Sequence, residues 1–284
     1  MKRFGPPLFA LLVLLSAPGA SVRAAGPSVA ELRAAGADEV REVYVRPPAT
    51  VTEGGPPQVV VALHGMGGTG ARFAAQLEAQ ADRYGWLLVA PTIAYGDWTD
   101  PAQIAREEPA LSAWLSDLIA HLPGSVGQSV QPRVLLFGYS RGAQLALRFA
   151  EIHPEQVAGV AATSAGTYTL PEMHDDDTGQ PLSFPFGVAN LAREDGGRPF
   201  NAREFRAIPI WVAVGANDSN PADVPDAWDP YIGDDRLERA ERFAAALTEM
   251  GADVRLRIFP GATHGLTDEM RAAGCAALAA AADS

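Results

Sequence analysis

The chain has 284 residues, of which 48% are hydrophobic, and it carries 34 acidic against 22 basic residues. This length and composition allow one large buried core, and the acidity argues against nucleic acid or an anionic membrane as a partner. Lys2 is the only lysine. A protein that loses its N-terminus would therefore have no lysine for Schiff-base, pyridoxal-phosphate or P-loop chemistry.

The N-terminus has the pattern of a secretory signal peptide. Lys2 and Arg3 precede an apolar run at 8–15, and small residues follow, which predicts a signal at 1–24 with cleavage after Ala24, or earlier after Ala20. The run is too short to span a bilayer, and the alternative is an uncleaved anchor or an interfacial helix. Cleavage at the later site removes three basic and no acidic residues, so the formal charge falls from −12 to −15. We expect an exported protein, periplasmic or secreted, with no stable membrane association after cleavage.

Residues 25–284 alternate predicted strands with predicted helices, which is typical of a single α/β domain with a mostly parallel central sheet. Apolar or alternating runs predict strands at 58–63, 86–90, 133–137, 157–162, 208–214 and 253–259. Helical spacing of apolar residues predicts helices at 71–84, 111–122, 143–150 and 237–250. Pro91, Pro123 and Gly251 are expected to end the elements that precede them.

A serine flanked by glycines joins the predicted strand 133–137 to the helix 143–150. The segment is Gly138-Tyr139-Ser140-Arg141-Gly142. A turn this tight forces the serine into strained dihedrals, and glycines two residues before and after it prevent clashes. The strain holds the hydroxyl out at the end of the strand, in front of a helix N-terminus. Ser140 is therefore the predicted nucleophile, and the alternative is a capping serine in a Gly-rich turn.

A serine hydroxyl is a poor nucleophile unless a histidine accepts its proton and a carboxylate orients that histidine. Asp218 follows the strand predicted at 208–214, and His264 follows the strand predicted at 253–259. Each of the three residues thus comes after a successive core strand. The sequence predicts Ser140, Asp218 and His264 as a catalytic triad, with His264 as base.

Neighbouring carboxylates compete with Asp218. It could merely cap the following turn, in which case Asp223 or Asp226 would be the acid. The segment Asn217-Asp218-Ser219 also matches the N-glycosylation pattern, although a bulky neighbour would serve a catalytic carboxylate badly.

Four other histidines compete with His264. His121 and His153 lie near predicted helix C-termini, where a histidine commonly contacts terminal carbonyls, and His64 follows the first predicted strand. His174 lies among the aspartates at 175–177, a pattern more often found in a solvated loop than in a metal site. We expect neither a metal nor a cofactor.

Residues 165–207 interrupt the alternation of strands and helices. Proline, glycine, aspartate and aromatic residues are mixed there without sustained periodicity. We interpret the segment as a short cap-like insertion over the active site, with four aromatic residues as pocket walls: Tyr168, Phe184, Phe186 and Phe200. The alternative is a surface excursion packed on its own aromatics.

Taken with the glycine-rich loop His64-Gly65-Met66-Gly67-Gly68, these motifs resemble the α/β-hydrolase family over about residues 40–282. The resemblance implies an α/β-hydrolase fold and an oxyanion hole formed by the backbone amides of Met66 and Arg141. The export signal, the Leu-His-Gly and Gly-Tyr-Ser-x-Gly motifs and the short insertion look most similar to secreted bacterial esterases of the polyhydroxybutyrate-depolymerase and feruloyl-esterase type.

The predicted function is hydrolysis of carboxylic esters with short or compact acyl groups, on small or polymeric substrates, through an acyl-enzyme. A serine peptidase, an acyltransferase or a perhydrolase of the same fold are the alternatives. A binding protein on a hydrolase scaffold is a further one, although such proteins tend to have lost a triad member.

Overall fold

The computed structural model describes residues 39–48 and 55–283. The predicted signal peptide and both of its cleavage positions lie outside the described residues. Within them, no helix combines the length and the apolar character needed to cross a membrane.

The described residues form one seven-stranded sheet. Its strands are β1 (Val40–Arg46), β2 (Val59–Leu63), β3 (Leu87–Ile93), β4 (Val134–Tyr139), β5 (Val157–Thr163), β6 (Ile210–Gly215) and β7 (Val254–Phe259). They are arranged in the order β1-β3-β2-β4-β5-β6-β7, and only the β1–β3 pair is antiparallel. The predicted mostly parallel α/β fold is confirmed.

Helices cover both faces of this sheet. They are α1 (Gly70–Ala74), α2 (Glu78–Tyr84), α3 (Pro101–Val126), α4 (Arg141–Ile152), α5 (Leu191–Glu194), α6 (Ala202–Phe205), α7 (Asp229–Ile232), α8 (Arg236–Glu249) and α9 (Asp268–Ala282), and single 3₁₀ turns lie at Pro154–Gln156, Pro221–Asp223 and Asp226–Trp228. The core on one face includes residues of α3, α4 and α8, and the core on the other includes residues of α1, α2 and α9. Strand β2 contributes to both because successive side chains point to opposite faces.

Two predicted endpoints are wrong. Strand β3 continues through Pro91, which pairs with Val43 of β1. The proline is tolerated because the pairing with β2 stops at Val89, so the strand has a single neighbour there. Helix α3 continues past Pro123 to Val126 and ends at Gly127, whose φ of 68° is left-handed. One missing N–H in the exposed last turn does not stop the helix.

The single helix predicted at 71–84 is two helices, α1 and α2. Between them Gln76 N donates to Phe73 O and Leu77 N donates to Ala74 O, which are the tight i to i−3 bonds of a 3₁₀ turn. This turn places Leu77 in the core beside Phe73, with only 2% of its surface exposed.

The insertion at 165–207 packs onto the body of the domain. The ring of Tyr168 is stacked on Phe243 of α8 at 4.7 Å between centroids, and Phe186 packs against Trp228. Phe184 and Phe200 lie in or against a small apolar cluster with Ile152 of α4. The four aromatics proposed as pocket walls thus pack against residues outside the insertion, among them Phe243, Trp228 and Ile152.

Candidate active site

Ser140 occupies a strained turn between β4 and α4. Its φ is 53° and its ψ is −118°, a combination that non-glycine residues rarely adopt. The turn is held because Ser140 N donates to Thr163 O of β5 at 2.8 Å. A Cβ at Gly138 would lie 2.5 Å from Ala143 Cα, and a Cβ at Gly142 would lie 2.0 Å from Leu63 O, so only glycine fits at either position.

The structure brings the three predicted triad residues together. Ser140 Oγ lies 3.2 Å from His264 Nε2, and His264 Nδ1 lies 3.0 Å from Asp218 Oδ2. These distances are within hydrogen-bond reach, so the three side chains form one continuous chain of contacts. The side chain of His264 is 32% exposed, whereas that of Asp218 is 2% exposed. The Ser140–His264 contact is thus open to substrate, whereas the Asp218 carboxylate is closed to water.

The rival acids are placed differently. Asp223 and Asp226 are exposed, and neither carboxylate has a hydrogen bond to His264. Asp223 takes part through its backbone, since its carbonyl accepts a hydrogen bond from Arg236 Nη2 at 2.7 Å.

The rival histidines have other partners. His121 Nδ1 contacts Asp117 O at 2.7 Å, and His153 Nδ1 accepts from Arg198 at 2.9 Å. His174 takes part in an isolated β-bridge with Pro181. Only His264 among the described histidines has a hydrogen bond to Ser140.

His64 organises the loop that follows β2. Its Nε2 accepts a hydrogen bond from Ile93 N at 3.0 Å, so the ring proton is on Nδ1 and is donated to Gly65 O at 2.7 Å. Burial lowers the pKa of His64, which keeps the ring neutral. Gly68 N also donates to Gly65 O, at 3.1 Å. In a trans peptide the carbonyl and the next N–H point in opposite directions, so these two bonds fix the direction of the Met66 N–H.

This loop lies against the Ser140 turn. A Cβ at Gly65 would be 3.2 Å from Ser140 Cβ and 3.1 Å from the ring of Tyr139, which is closer than most side chains tolerate. Met66 is 47% exposed. Arg141 is the first residue of α4, where a backbone N–H has no partner within its own helix.

The side chain of Arg141 belongs to a buried ionic network that sequence analysis missed. Its guanidinium donates to Glu107 at 2.8 Å and to Glu108, and it lies 4.7 Å from the ring centroid of Tyr95. Glu108 also accepts from Arg148 at 3.3 Å. The network ties α4 to α3 at Arg141, directly after Ser140, and again at Arg148. It fixes the backbone that follows Ser140.

Two further neighbours of the triad were also missed. The ring of Tyr139 is stacked on His264, with centroids 5.6 Å apart and planes at 27°. Arg236 Nη1 donates to Asp218 Oδ1 at 3.1 Å. The adjacency of Tyr139 to Ser140 is visible in the sequence, but no motif links residues 218 and 236.

Three acidic side chains lie close together at the start of α8. In the part of the chain that the structure describes, Asp234, Asp235 and Glu238 have carboxylate oxygens close enough to share an ion. Asp235 caps α8 by accepting from Glu238 N at 2.9 Å, and Glu238 accepts from Asp234 N at 3.1 Å.

A mostly parallel sheet with a strained serine between a central strand and its helix defines the α/β-hydrolase fold. The chain belongs to the Esterase family, whose model matches residues 35–267. It is accordingly a carboxylic ester hydrolase. No curated protein matches the chain.

Solved structures with the same fold include three enzymes named for hydrolysis. LpqC, a poly(3-hydroxybutyrate) depolymerase from Bordetella parapertussis, is 22% identical, with 82% of each chain covered and a TM-score of 0.64. Poly(aspartic acid) hydrolase-1 from Sphingomonas sp. KT-1 is 19% identical over 82% of this chain and 91% of its own, with a TM-score of 0.60. Acyl-protein thioesterase 2 of Zea mays is 16% identical over 84% and 98%, with a TM-score of 0.55.

Proposed function

We propose that the enzyme cleaves esters by acyl transfer to Ser140, with His264 as general base and Asp218 as the residue that orients it. The observation that carries this proposal is the chain of contacts from Ser140 Oγ through the imidazole to the buried carboxylate. His264 Nε2 accepts the hydroxyl proton while Oγ attacks the ester carbonyl, and the protonated ring then gives that proton to the leaving alcohol. Water repeats the attack on the acyl-enzyme.

The same proposal assigns the oxyanion to the backbone amides of Met66 and Arg141. Both amides lie beside the Ser140 turn. The hydrogen bonds of His64 hold the loop that contains Met66, and the ionic network between α3 and α4 holds Arg141. Donors that are fixed before reaction stabilise developing charge without reorganising, and one such donor contributes about 10²- to 10³-fold in turnover.

A serine-directed fluorophosphonate tests the proposed nucleophile. We expect a single label on the peptide that contains Ser140, because only this serine has an imidazole within 3.2 Å of its hydroxyl in the described residues. Denatured protein is the control and should remain unlabelled. A label on another serine of the folded protein would contradict the assignment.

We also propose that the enzyme prefers short or compact acyl groups. Enzymes that act at a lipid interface usually have an amphipathic lid with a broad apolar face. The insertion lacks such a face, because its helices α5 and α6 have four residues each and its aromatics are interrupted by Pro181, Pro185 and Pro199. The large hydrophobic residues that the described chain exposes are few and scattered along the sequence: Met66, Met173 and Ile258. A net charge of −12 also disfavours anionic lipid.

Hydrolysis of an ester series from acetyl to palmitoyl, with and without emulsified substrate, tests this preference. The expected result is the highest kcat/KM among the short acyl groups and no increase in rate when an oil interface appears. A maximum at long chains together with an interfacial jump would identify a lipase. Hydrolysis of matched amides as fast as the esters would instead favour a peptidase.

A further inference from the structure

We propose that Arg236 is a positioning residue of the catalytic machinery, which holds the Asp218 carboxylate in the orientation that faces His264. This inference rests on the proposed triad.

The two oxygens of Asp218 have separate partners. Oδ2 faces His264 Nδ1 at 3.0 Å, and Oδ1 accepts from Arg236 Nη1 at 3.1 Å. Within residues 39–48 and 55–283, these are the two hydrogen bonds that the carboxylate receives. Backbone amides therefore do not hold this carboxylate, and its orientation depends on the arginine.

Arg236 is itself fixed in place. It is the first residue of α8, and its Nη2 donates to Asp223 O at 2.7 Å, so one guanidinium joins two points of the loop after β6. The guanidinium carbon also lies 5.9 Å from the ring centroid of Trp98, within the range of a cation–π contact. Because the guanidinium is planar and both Nη1 and Nη2 donate hydrogen bonds, it cannot rotate without breaking one of them.

Burial makes Asp218 and Arg236 dependent on each other. Asp218 is 3% exposed and Arg236 is 5% exposed, so water cannot replace either partner. A carboxylate bonded to an arginine fork in a site closed to water is held in one orientation, and a carboxylate held facing the imidazole stabilises the imidazolium that forms during acyl transfer. Arg236 thus acts on His264 through the orientation of Asp218.

The first arm of the test replaces Arg236 by glutamine. We expect Arg236→Gln to lower kcat by about 10- to 100-fold, because a buried charge loses its partner, with KM within about twofold of the wild type. Arg236→Lys keeps the charge but cannot supply the two-ended fork, so its kcat should be intermediate. If Arg236→Gln does not fold, the kcat of Arg236→Lys is compared with that of the wild type, and it should be lower.

A matched control lies on the same helix. Arg242 Nη2 donates to both oxygens of Glu172, at 2.7 and 2.9 Å, so Arg242→Gln also removes an arginine–carboxylate pair from α8. This pair has no contact with the triad, and we expect kcat within about twofold of the wild type. A loss in the control as large as that in Arg236→Gln would overturn the inference.

The second arm separates positioning from a general loss of structure. Arg236→Gln is also made in an Asp218→Asn background, and single-turnover fluorophosphonate labelling is measured in all four proteins. If Arg236 acts through the carboxylate, its replacement should cause no more than about a twofold further loss once the carboxylate is gone. An equal fold-loss in both backgrounds would show a merely structural role.

The activity of Ser140→Ala distinguishes an error in the proposed triad from an error in the role of Arg236. If Ser140→Ala kept its activity, the proposed function would be wrong. If Ser140→Ala were inactive while Arg236→Gln matched the wild type, only the role of Arg236 would be wrong.

Discussion

Replacing Ser140 by alanine should lower kcat by about 10⁴- to 10⁶-fold and leave the free energy of unfolding nearly unchanged. The hydroxyl contributes in the transition state, and its contact with His264 is exposed and adds little to packing. Alanine keeps the strained φ of 53°. Steady-state rates on a short acyl ester, together with a urea unfolding curve, are the measurements.

Ser140→Gly is the informative companion variant. It should be as inactive as the alanine variant but more stable than it, by about 1 kcal/mol, because glycine adopts positive φ without strain. Equal stability of the two variants would mean that the turn is unstrained. An alanine variant that kept more than about a hundredth of the wild-type kcat would exclude Ser140 as the nucleophile.

Asp218→Asn should lower kcat by up to about 10⁴-fold. The asparagine amide would donate to Nδ1 of His264, which moves the ring proton to Nε2 and leaves no acceptor for the Ser140 hydroxyl. Rates measured at fixed pH, with substrate saturation curves, would show the loss in kcat.

Asp223→Asn is the matched control for this change. The exposed carboxylate of Asp223 does not contact the triad, and its backbone carbonyl, which binds Arg236, is unchanged by the substitution. The control should stay within about twofold of the wild type. The opposite pattern, with Asp223→Asn inactive and Asp218→Asn active, would transfer the role to Asp223.

The sequence predicted those parts of the fold that depend on the residue pattern within a single strand or helix. The central strands were recognised because their residues are apolar without interruption, as expected for parallel strands buried on both faces. Strand β1 was missed because it is an antiparallel edge strand with a register shift between Val40 and Glu42, which breaks its alternation. Proline was also given too much weight as a terminator, although both prolines concerned lie where one absent N–H costs little.

The residues that support the triad could not be predicted, because their roles depend on tertiary contacts. Glu107 and Glu108 look like solvated helix residues in the sequence, yet they are buried because Arg141 reaches them across 33 or 34 positions of chain. Arg236 follows a capping aspartate and resembles any charged residue in a first helical turn. Local sequence rules do not say which partner the fold will supply to any of these residues.

The elements next to Ser140 and His264 differ greatly in how much of them is buried. All twelve residues of α4, which starts directly after Ser140, are buried, whereas β7, which leads to His264, is the last strand of the sheet and has only Phe259 fully buried. Local opening begins where few apolar contacts hold the chain. On warming, we expect the edge strand to fray first and to carry the base away from a nucleophile that is still in place. Heat inactivation should therefore precede the loss of the fold.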